Sequence, residues 1–380
     1  MTNSTAADGL KVQKWDAKFF KEYIQENPFK PYMGTSSNSI IQIKEDTVKR
    51  YQTITFALVN KLSGAGVTGS STLEGNEEDM TSRSFAVTVD KLRNAVRVAE
   101  MEEQISAIDL RKAAKETLKD WAMEIGAQNR ILTALSDING VAYGSATATQ
   151  QDAWLDANAD RVMFGGTAAA APVALATDAP AGGATNDLSA TLTDLTVANA
   201  GWDTEGDAAA FLSRLRRKAL AANPKVRPIR VEGMNQRYFV VFVCPKTMAD
   251  IKNDKKITDA QVGVALKQQN NKLFKGGDLE WDGMIIHEVD NLSTVAWATA
   301  GAASIPLAPV YLCGAQAIGF ALAKRWRSVT ESFDYKDKKG VAIETIDAIE
   351  KMIFGTGAND TDTTKDHGVA TGYHALISTI

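Results

Sequence analysis

Apolar residues at 54, 56 and 58 alternate with polar ones through 51–59, the two-residue period of a half-buried strand, and 84–89 repeats that alternation. Between them, from Leu62 to Met80, the chain has no apolar periodicity. The pattern predicts two strands joined by a long loop. Loops of this length inside a compact domain are uncommon and usually functional or disordered, and this one reads as an excursion built to touch something outside its own domain. From 100 to 137 runs the strongest helical signal, with Ile105, Ile108, Leu118, Trp121, Ile125, Leu132 and Leu135 spaced mostly by threes and fours. A single helix over that span would be about 50–55 Å long, suited to a spine.

Further along, Phe211, Leu212, Leu215, Ala219 and Leu220 predict a helix over 204–222, and two shorter helices are expected near 245–253 and 258–271. Residues 237–245 are apolar on both faces and end at Pro245, which suits a central strand; 284–289 predicts another. Residues 291–323 carry no charge, but Pro306, Pro309 and several glycines argue against a membrane span. A buried strand or loop followed by a helix over 312–329 is expected instead. A last helix over 343–354 stops at Gly355, and a terminal strand is expected over 373–380. Residues 1–50, broken by Pro28 and Pro31, read as an extended arm with a short amphipathic helix near 15–25. Residues 142–201, rich in Ala, Thr, Gly and Asp, read as a surface excursion and not as core.

With 380 residues, 44% hydrophobic and 23% charged, the chain has material for a large core. A net charge of −4 argues against general coating of nucleic acid or attraction to a membrane surface. Cys244 and Cys313 sit in apolar runs, as small buried thiols do, so no disulfide framework is expected. The first residues lack the basic-then-apolar pattern of a secretory signal.

Gly64-Ala65-Gly66-Val67-Thr68-Gly69 fits the dinucleotide-binding spacing. That chemistry needs a helix starting at the glycines to hold a pyrophosphate, and residues 70–79 are instead polar, aperiodic and rich in carboxylates. His287, His367 and His374 show no metal-ligand spacing, and Asp360, Asp362 and Asp366 lack the glycine and closing Glu of a calcium loop. Neither a G-x-S-x-G nor a Walker motif occurs. The sequence thus implies no cofactor, no metal and no catalytic residue.

Charge is segregated. The loop carries Glu74, Glu77, Glu78 and Asp79, whereas 83–97 carries Arg83, Lys91, Arg93 and Arg97 against Asp90 alone. These are candidates for contact between subunits. A second basic cluster, Arg214, Arg216, Arg217 and Lys218 with Lys225, Arg227, Arg230 and Arg237, comes after an acidic tract from Asp152 to Asp207 in which Arg161 is the lone cation. It could face nucleic acid or pair with carboxylates of its own or a neighbouring subunit.

Thr68-Gly69-Ser70-Ser71-Thr72-Leu73-Glu74-Gly75-Asn76-Glu77, the run Arg93 to Arg97, the long helix after it, the strand over 238–244 with Pro245, and Tyr311-Leu312-Cys313-Gly314-Ala315-Gln316-Ala317 resemble the major capsid proteins of N-four-type tailed phages. The resemblance spans about 45–355. It implies an α+β fold of the Hong Kong 97 type, with an N-terminal arm (1–50), an extended loop (51–97), a peripheral domain (98–235) containing the spine helix 101–138 and an insertion over 145–200, an axial domain (236–310), and a return to the peripheral domain (311–380). The implied function is assembly into hexamers and pentamers that close an icosahedral shell around double-stranded DNA. A separate scaffolding protein, a portal and a cement or decoration protein are the implied partners, with the virion as location and the host cytoplasm as the place of assembly. A cellular nanocompartment shell of the same fold is the alternative, and after it a nucleotide-cofactor oxidoreductase. Some shells of this fold lock covalently through a lysine on the extended loop, yet no lysine lies between Lys61 and Lys91. A non-covalent shell is therefore expected, its 40.9 kDa subunit running as a single denatured band.

Overall fold

The computed structural model describes residues 29–46, 53–59, 62–105, 110–230, 236–265, 279–292, 298–300, 305–355 and 364–377, apart from positions 63, 65, 71, 81 and 139. The helix expected near 15–25 lies outside them, as do Asp360 and Asp362. Among the described residues no helix is long and apolar enough to cross a membrane.

Two sheets organise the chain. The first has five strands in the order Met33–Gly34, Ile41–Glu45, Ile318–Phe333, Lys338–Lys351 and Asp90–Ala99. Its centre is the antiparallel pair Ile318–Phe333 and Lys338–Lys351, which reverses at Asp334–Lys336, where Asp334 and Tyr335 take left-handed φ angles of 52° and 51°. At about 3.3 Å per residue the longer strand reaches roughly 50 Å.

These two strands replace the helices expected over 312–329 and 343–354. A strand alternates apolar and polar residues only when one face meets water. Here both faces are covered over much of the length. Leu118, Ala122 and Ala127 of the long helix pack with Trp326, Val341 and Ile343, while Ile54, Phe56 and Val87 of the projecting hairpin pack with Ala321, Ala348 and Met352. The i, i+3 spacing of Ile343, Ile346 and Ile349 thus mimics a helix, but β-branched side chains favour the pleated surface.

Helix Glu100–Ile105 begins the expected run, 106–109 lies outside the described residues, and the run is helical again over 110–136. Its five residues Glu124–Gln128 form a π turn between α-helices Leu110–Met123 and Asn129–Ser136. The wider turn changes the helical phase. Ile125, expected in the buried stripe, is consequently 45% exposed, and Gly126 meets the core instead. A Cβ on Gly126 would lie 2.7 Å from the Trp326 ring, so this position admits no side chain without displacement.

The second sheet has eight strands. Its main path runs Val162–Phe164, Val369–Ala375, Ile305–Cys313, Arg237–Val243, Met284–Glu288 and Leu279–Trp281, with Ala298–Ala300 and Ile229–Arg230 paired at its margins. The central strand over 237–243 and the strand near 284–289 lie where the sequence puts them. Helices Asp207–Ala221 and Pro245–Asn253 cover one face through Phe211, Leu212, Leu215, Met248 and Ile251. The other face is closed by the described end of the arm, with Phe29 edge-on to Phe242 at 5.2 Å. Helix Lys255–Ala265 matches part of the expected 258–271, and strand Val369–Ala375 ends before 378–380, which lies outside the described residues.

Residues 142–201 correct the surface reading. Helix Ala148–Asn158, strand Val162–Phe164 and helix Leu188–Thr193 form their own core, with Trp154, Leu155, Phe164, Leu188, Leu192 and Leu195 buried against Tyr373. The acids of this tract staple loops. Asp152 accepts the N–H groups of Ala181 and Leu188, each at 2.8 Å, and Asp156 accepts those of Thr185 and Asn186 at 2.7 and 2.9 Å. Buried backbone donors need such acceptors where no ladder supplies them.

Candidate functional site

The projecting element is the hairpin Thr53–Val59 and Ser82–Thr88, paired from Thr53 opposite Thr88 to Val59 opposite Ser82. Its root is anchored by buried Ile54, Phe56 and Val87. Beyond Val59 the apolar side chains lose their cover: Leu62, Leu73 and Met80 are all more than half exposed, Met80 by 72%. Isolated exposed apolar residues are ordinary. Here they share one extended loop with four acids.

Glu74, Glu77, Glu78 and Asp79 are all exposed on that loop. Glu78 accepts the Gly64 N–H at 2.6 Å and Glu77 that of Gly75 at 2.7 Å, so two of the four also brace the loop's own backbone. Gly66, Gly69 and Gly75 take positive φ, which an aperiodic chain with tight bends requires. The glycine run leads into irregular chain and not into a helix, so the helix N-terminus needed for a dinucleotide pyrophosphate is missing from its place.

The basic candidates separate. Arg83 is buried at 8% exposure within the hairpin, which removes it as an accessible contact. Arg93 and Arg97 are exposed on strand Asp90–Ala99, opposite Glu344 and Gly340 of the long strand. Arg93 lines a groove of about 380 Å³ whose walls include Asn94, Val329, Phe333 and Val341. Val329 and Phe333 are 37% and 41% exposed. The groove combines apolar walls, Val329, Phe333 and Val341, with one cation, Arg93, and one acid, Glu331; the apolar walls and Arg93 suit a loop bearing acids beside Leu73 and Met80. Reading 312–329 and 343–354 as helices hid these partners; the signal in the sequence was the β-branched and aromatic content of 326–333.

Beside the groove, Glu344 gathers three cations: Lys91 at 2.7 Å, Lys324 at 3.2 Å and Arg327. The Lys91 hydrogen bond, together with those of Arg327 and Lys324, outweighs desolvation and holds the Glu344 carboxyl at about 2, below its ordinary 4.5. A depressed folded-state value stabilises the fold above the unfolded value and loses that contribution as pH falls towards the folded one. We expect Glu344→Gln to flatten the stability profile between about pH 4.5 and 2, as read by thermal melts at stepped pH. A parallel shift of both profiles would count against this cluster. Lys91, one of the two lysines flanking the loop, is held to its own subunit here; Lys61 lies outside the described residues.

The second basic cluster is largely spent internally. Arg214 donates to the carbonyls of Thr167 and Ala170 at 2.6 Å, Arg216 pairs with Asp282 at 3.1 Å, and Lys218 is half-buried, its value lowered by burial. Arg217 is exposed. No group of three or more His, Cys, Asp or Glu among the described residues could hold a metal ion.

Residues 3–377 match the family described as phage capsid protein. The chain is 28% identical over 377 residues to the major capsid protein of Pseudomonas phage KPP25, covering 95% of this chain and 94% of that one. Among solved structures it resembles the capsid asymmetric unit of cyanophage Pam1, with TM-score 0.74, 27% identity and 93% of each chain covered. The capsid of Ralstonia phage GP4 shares the fold at TM-score 0.67 and 21% identity, over 93% of this chain and 92% of that one. The fold is thus the α+β capsid fold that the sequence resemblance implies.

Proposed function

The chain belongs to the phage capsid protein family, and from that premise we propose that it is the major capsid protein of a tailed phage, closing as hexamers and pentamers into an icosahedral shell around double-stranded DNA. The observation that carries the contact model is the complementarity between the loop and the groove beside Arg93. In each contact the acidic, apolar loop of one subunit lies on the groove face of the next. Exposed ion pairs contribute only about 0–1 kcal/mol each, whereas fully burying a Leu or Met side chain is worth about 1.5–3 kcal/mol. Leu73 and Met80 therefore supply the affinity, and the charges supply register and partner choice.

The five-stranded sheet with its long helix forms the peripheral unit. The eight-stranded sheet forms the axial unit around capsomer axes; the 145–200 segment, expected within the peripheral domain, and strand Val369–Ala375, expected in the return to it, pair within this sheet and are assigned to the axial unit instead. Scaffolding, portal and cement proteins complete the particle, which assembles in the host cytoplasm, and the role is structural instead of enzymatic. The packaged DNA needs no sequence-reading surface.

Reversing both Glu77 and Glu78 to Lys is expected to weaken each contact about tenfold and to lower shell yield, read by negative-stain microscopy and light scattering with the scaffolding partner present. Because both acids also brace the loop, Arg93→Glu with Arg97→Glu in the same chain is the control: it restores yield if the charges meet across subunits. Unchanged yield in the first variant, or no restoration in the second, contradicts the contact. A subunit that stays monomeric at high concentration beside its assembly factors contradicts the shell.

A further inference from the structure

Away from every surface, the end of the long strand Lys338–Lys351 meets the end of the long helix in a site that shell geometry does not explain. Lys351 and Asp366 side chains are each 2% exposed, and Lys351 Nζ lies 2.8 Å from Asp366 Oδ2. The Trp154 indole N–H donates to the same oxygen at 3.2 Å, and the Lys351 ammonium sits 5.8 Å from the Trp154 ring centre. Asp137 caps the helix two residues beyond Leu135, whose carbonyl is 3.5 Å from Lys351 Nζ. Asp366 Oδ1 and Asp137 Oδ1 are both buried and accept no hydrogen bond from any described group. The Lys351 ammonium thus pairs with one carboxylate whose second oxygen is bare, and the Asp137 carboxyl at the adjoining helix end has a bare oxygen too.

Such an arrangement is costly as an ion site, because two charges taken from water are repaid only when their remaining lone pairs are satisfied. The same burial favours a different outcome. In water an amine and an acid remain separate largely because their charged forms are well solvated. Burial removes that solvation, and contact replaces a bimolecular encounter with an effectively unimolecular one.

We propose that Lys351 and Asp366 condense to an isopeptide bond inside each folded subunit, with Asp137 as the proton-transferring group. A proton first passes from the Lys351 ammonium to the Asp366 carboxylate; the neutral amine then attacks Asp366 Cγ, one Cγ–Oδ bond breaks, and the released oxygen leaves as water carrying two protons that began on the ammonium. Asp137 takes a proton from the attacking nitrogen and returns it to the leaving oxygen, so it ends as it began, and no oxidant or reductant is consumed. Desolvation holds the Asp137 carboxyl up at about 6, with Lys351 lowering it and Asp366 raising it, which suits proton transfer near neutrality. The bond joins the end of Lys338–Lys351 to that of Thr364–Asp366, whose partner strand is Ile353–Gly355. It is internal to one chain, so it leaves a single band on a denaturing gel and does not depend on how subunits meet.

The test is intact-mass measurement and proteolytic peptide mapping of the full chain, both as purified subunit and from particles. The expected result is a chain one water lighter than its sequence, with a branched peptide containing Lys351 and Asp366. Asp137→Asn should form that peptide at least about a hundredfold more slowly, and Lys351→Met should not form it. A wild-type chain of full mass with two linear peptides overturns the proposal, leaving an ion pair only. A lost water that persists in Lys351→Met places the dehydration elsewhere and overturns it too. Formation at an unchanged rate in Asp137→Asn overturns the role given to that residue.

Discussion

Trp326→Ala is expected to cost about 3–5 kcal/mol of folding stability, the range for emptying a buried aromatic site. The side chain is 4% exposed and lies where the strand pairing shifts between Lys324 and Arg327, an irregularity that re-aims a residue out of the regular pleat. Its ring meets Trp121 edge-on, with centroids 6.3 Å apart, and fills the space above Gly126. The loss would remove the main wedge between the five-stranded sheet and the long helix. Denaturant unfolding monitored by helical circular dichroism reads it as a lower midpoint. Gly126→Ala tests the same contact by overpacking and should cost about 1–3 kcal/mol. A loss below about 1 kcal/mol for Trp326→Ala would show that the helix is held elsewhere.

Arg161→Met is expected to cost about as much, roughly 3–5 kcal/mol, because it strands the Asp366 and Pro224 carbonyls, an unsatisfied buried acceptor costing about 1–3 kcal/mol each, and takes one partner from Asp160. Arg161 is 1% exposed and donates to the Asp160 carboxylate at 3.1 and 3.3 Å, to the Pro224 carbonyl at 3.2 Å and to the Asp366 carbonyl. It ties the 145–200 segment to strand Thr364–Asp366 and to the chain just after helix Asp207–Ala221. Burial alone would raise the Asp160 carboxyl, but hydrogen bonds from Arg161, the Asn223 N–H and Lys365 reverse this and hold it at about 2. Asp160 therefore stabilises the fold above its ordinary 3.8 and loses that contribution as pH falls towards 2. Removing Arg161 should raise the pH at which acid unfolding begins, besides lowering stability at neutral pH. Wild-type acid behaviour in Arg161→Met would refute the assignment.

Candidate contacts were only partly legible from residue order. Glu74, Glu77, Glu78, Asp79, Arg93 and Arg97 could be named because surface charges segregate along the chain itself. Arg83 could not be told from them, since a charge beside a strand looks alike whether it faces water or the hairpin's interior. Val329, Phe333 and Glu344 were missed because their segment was read with the wrong period. Arg161 stood out only as a lone cation in an acidic tract, and nothing local marks it as one of the largest fully buried side chains.

By itself the sequence determined the elements whose burial is one-sided or complete over a short run: the alternating hairpin strands, the central strand at 237–243, the helix at 207–221 and the projecting loop without apolar periodicity. In each, the local pattern and the final environment agree. Tertiary structure alone decided the two long strands at 318–351, the π turn that exposes Ile125, the conversion of an Ala- and Asp-rich tract into core, and the meeting of Lys351, Asp366 and Asp137. The physical reason is that periodicity records how many faces of an element meet water. Where a helix covers one face of a strand and a hairpin covers the other, that record is erased, and only the packed neighbours specify the backbone.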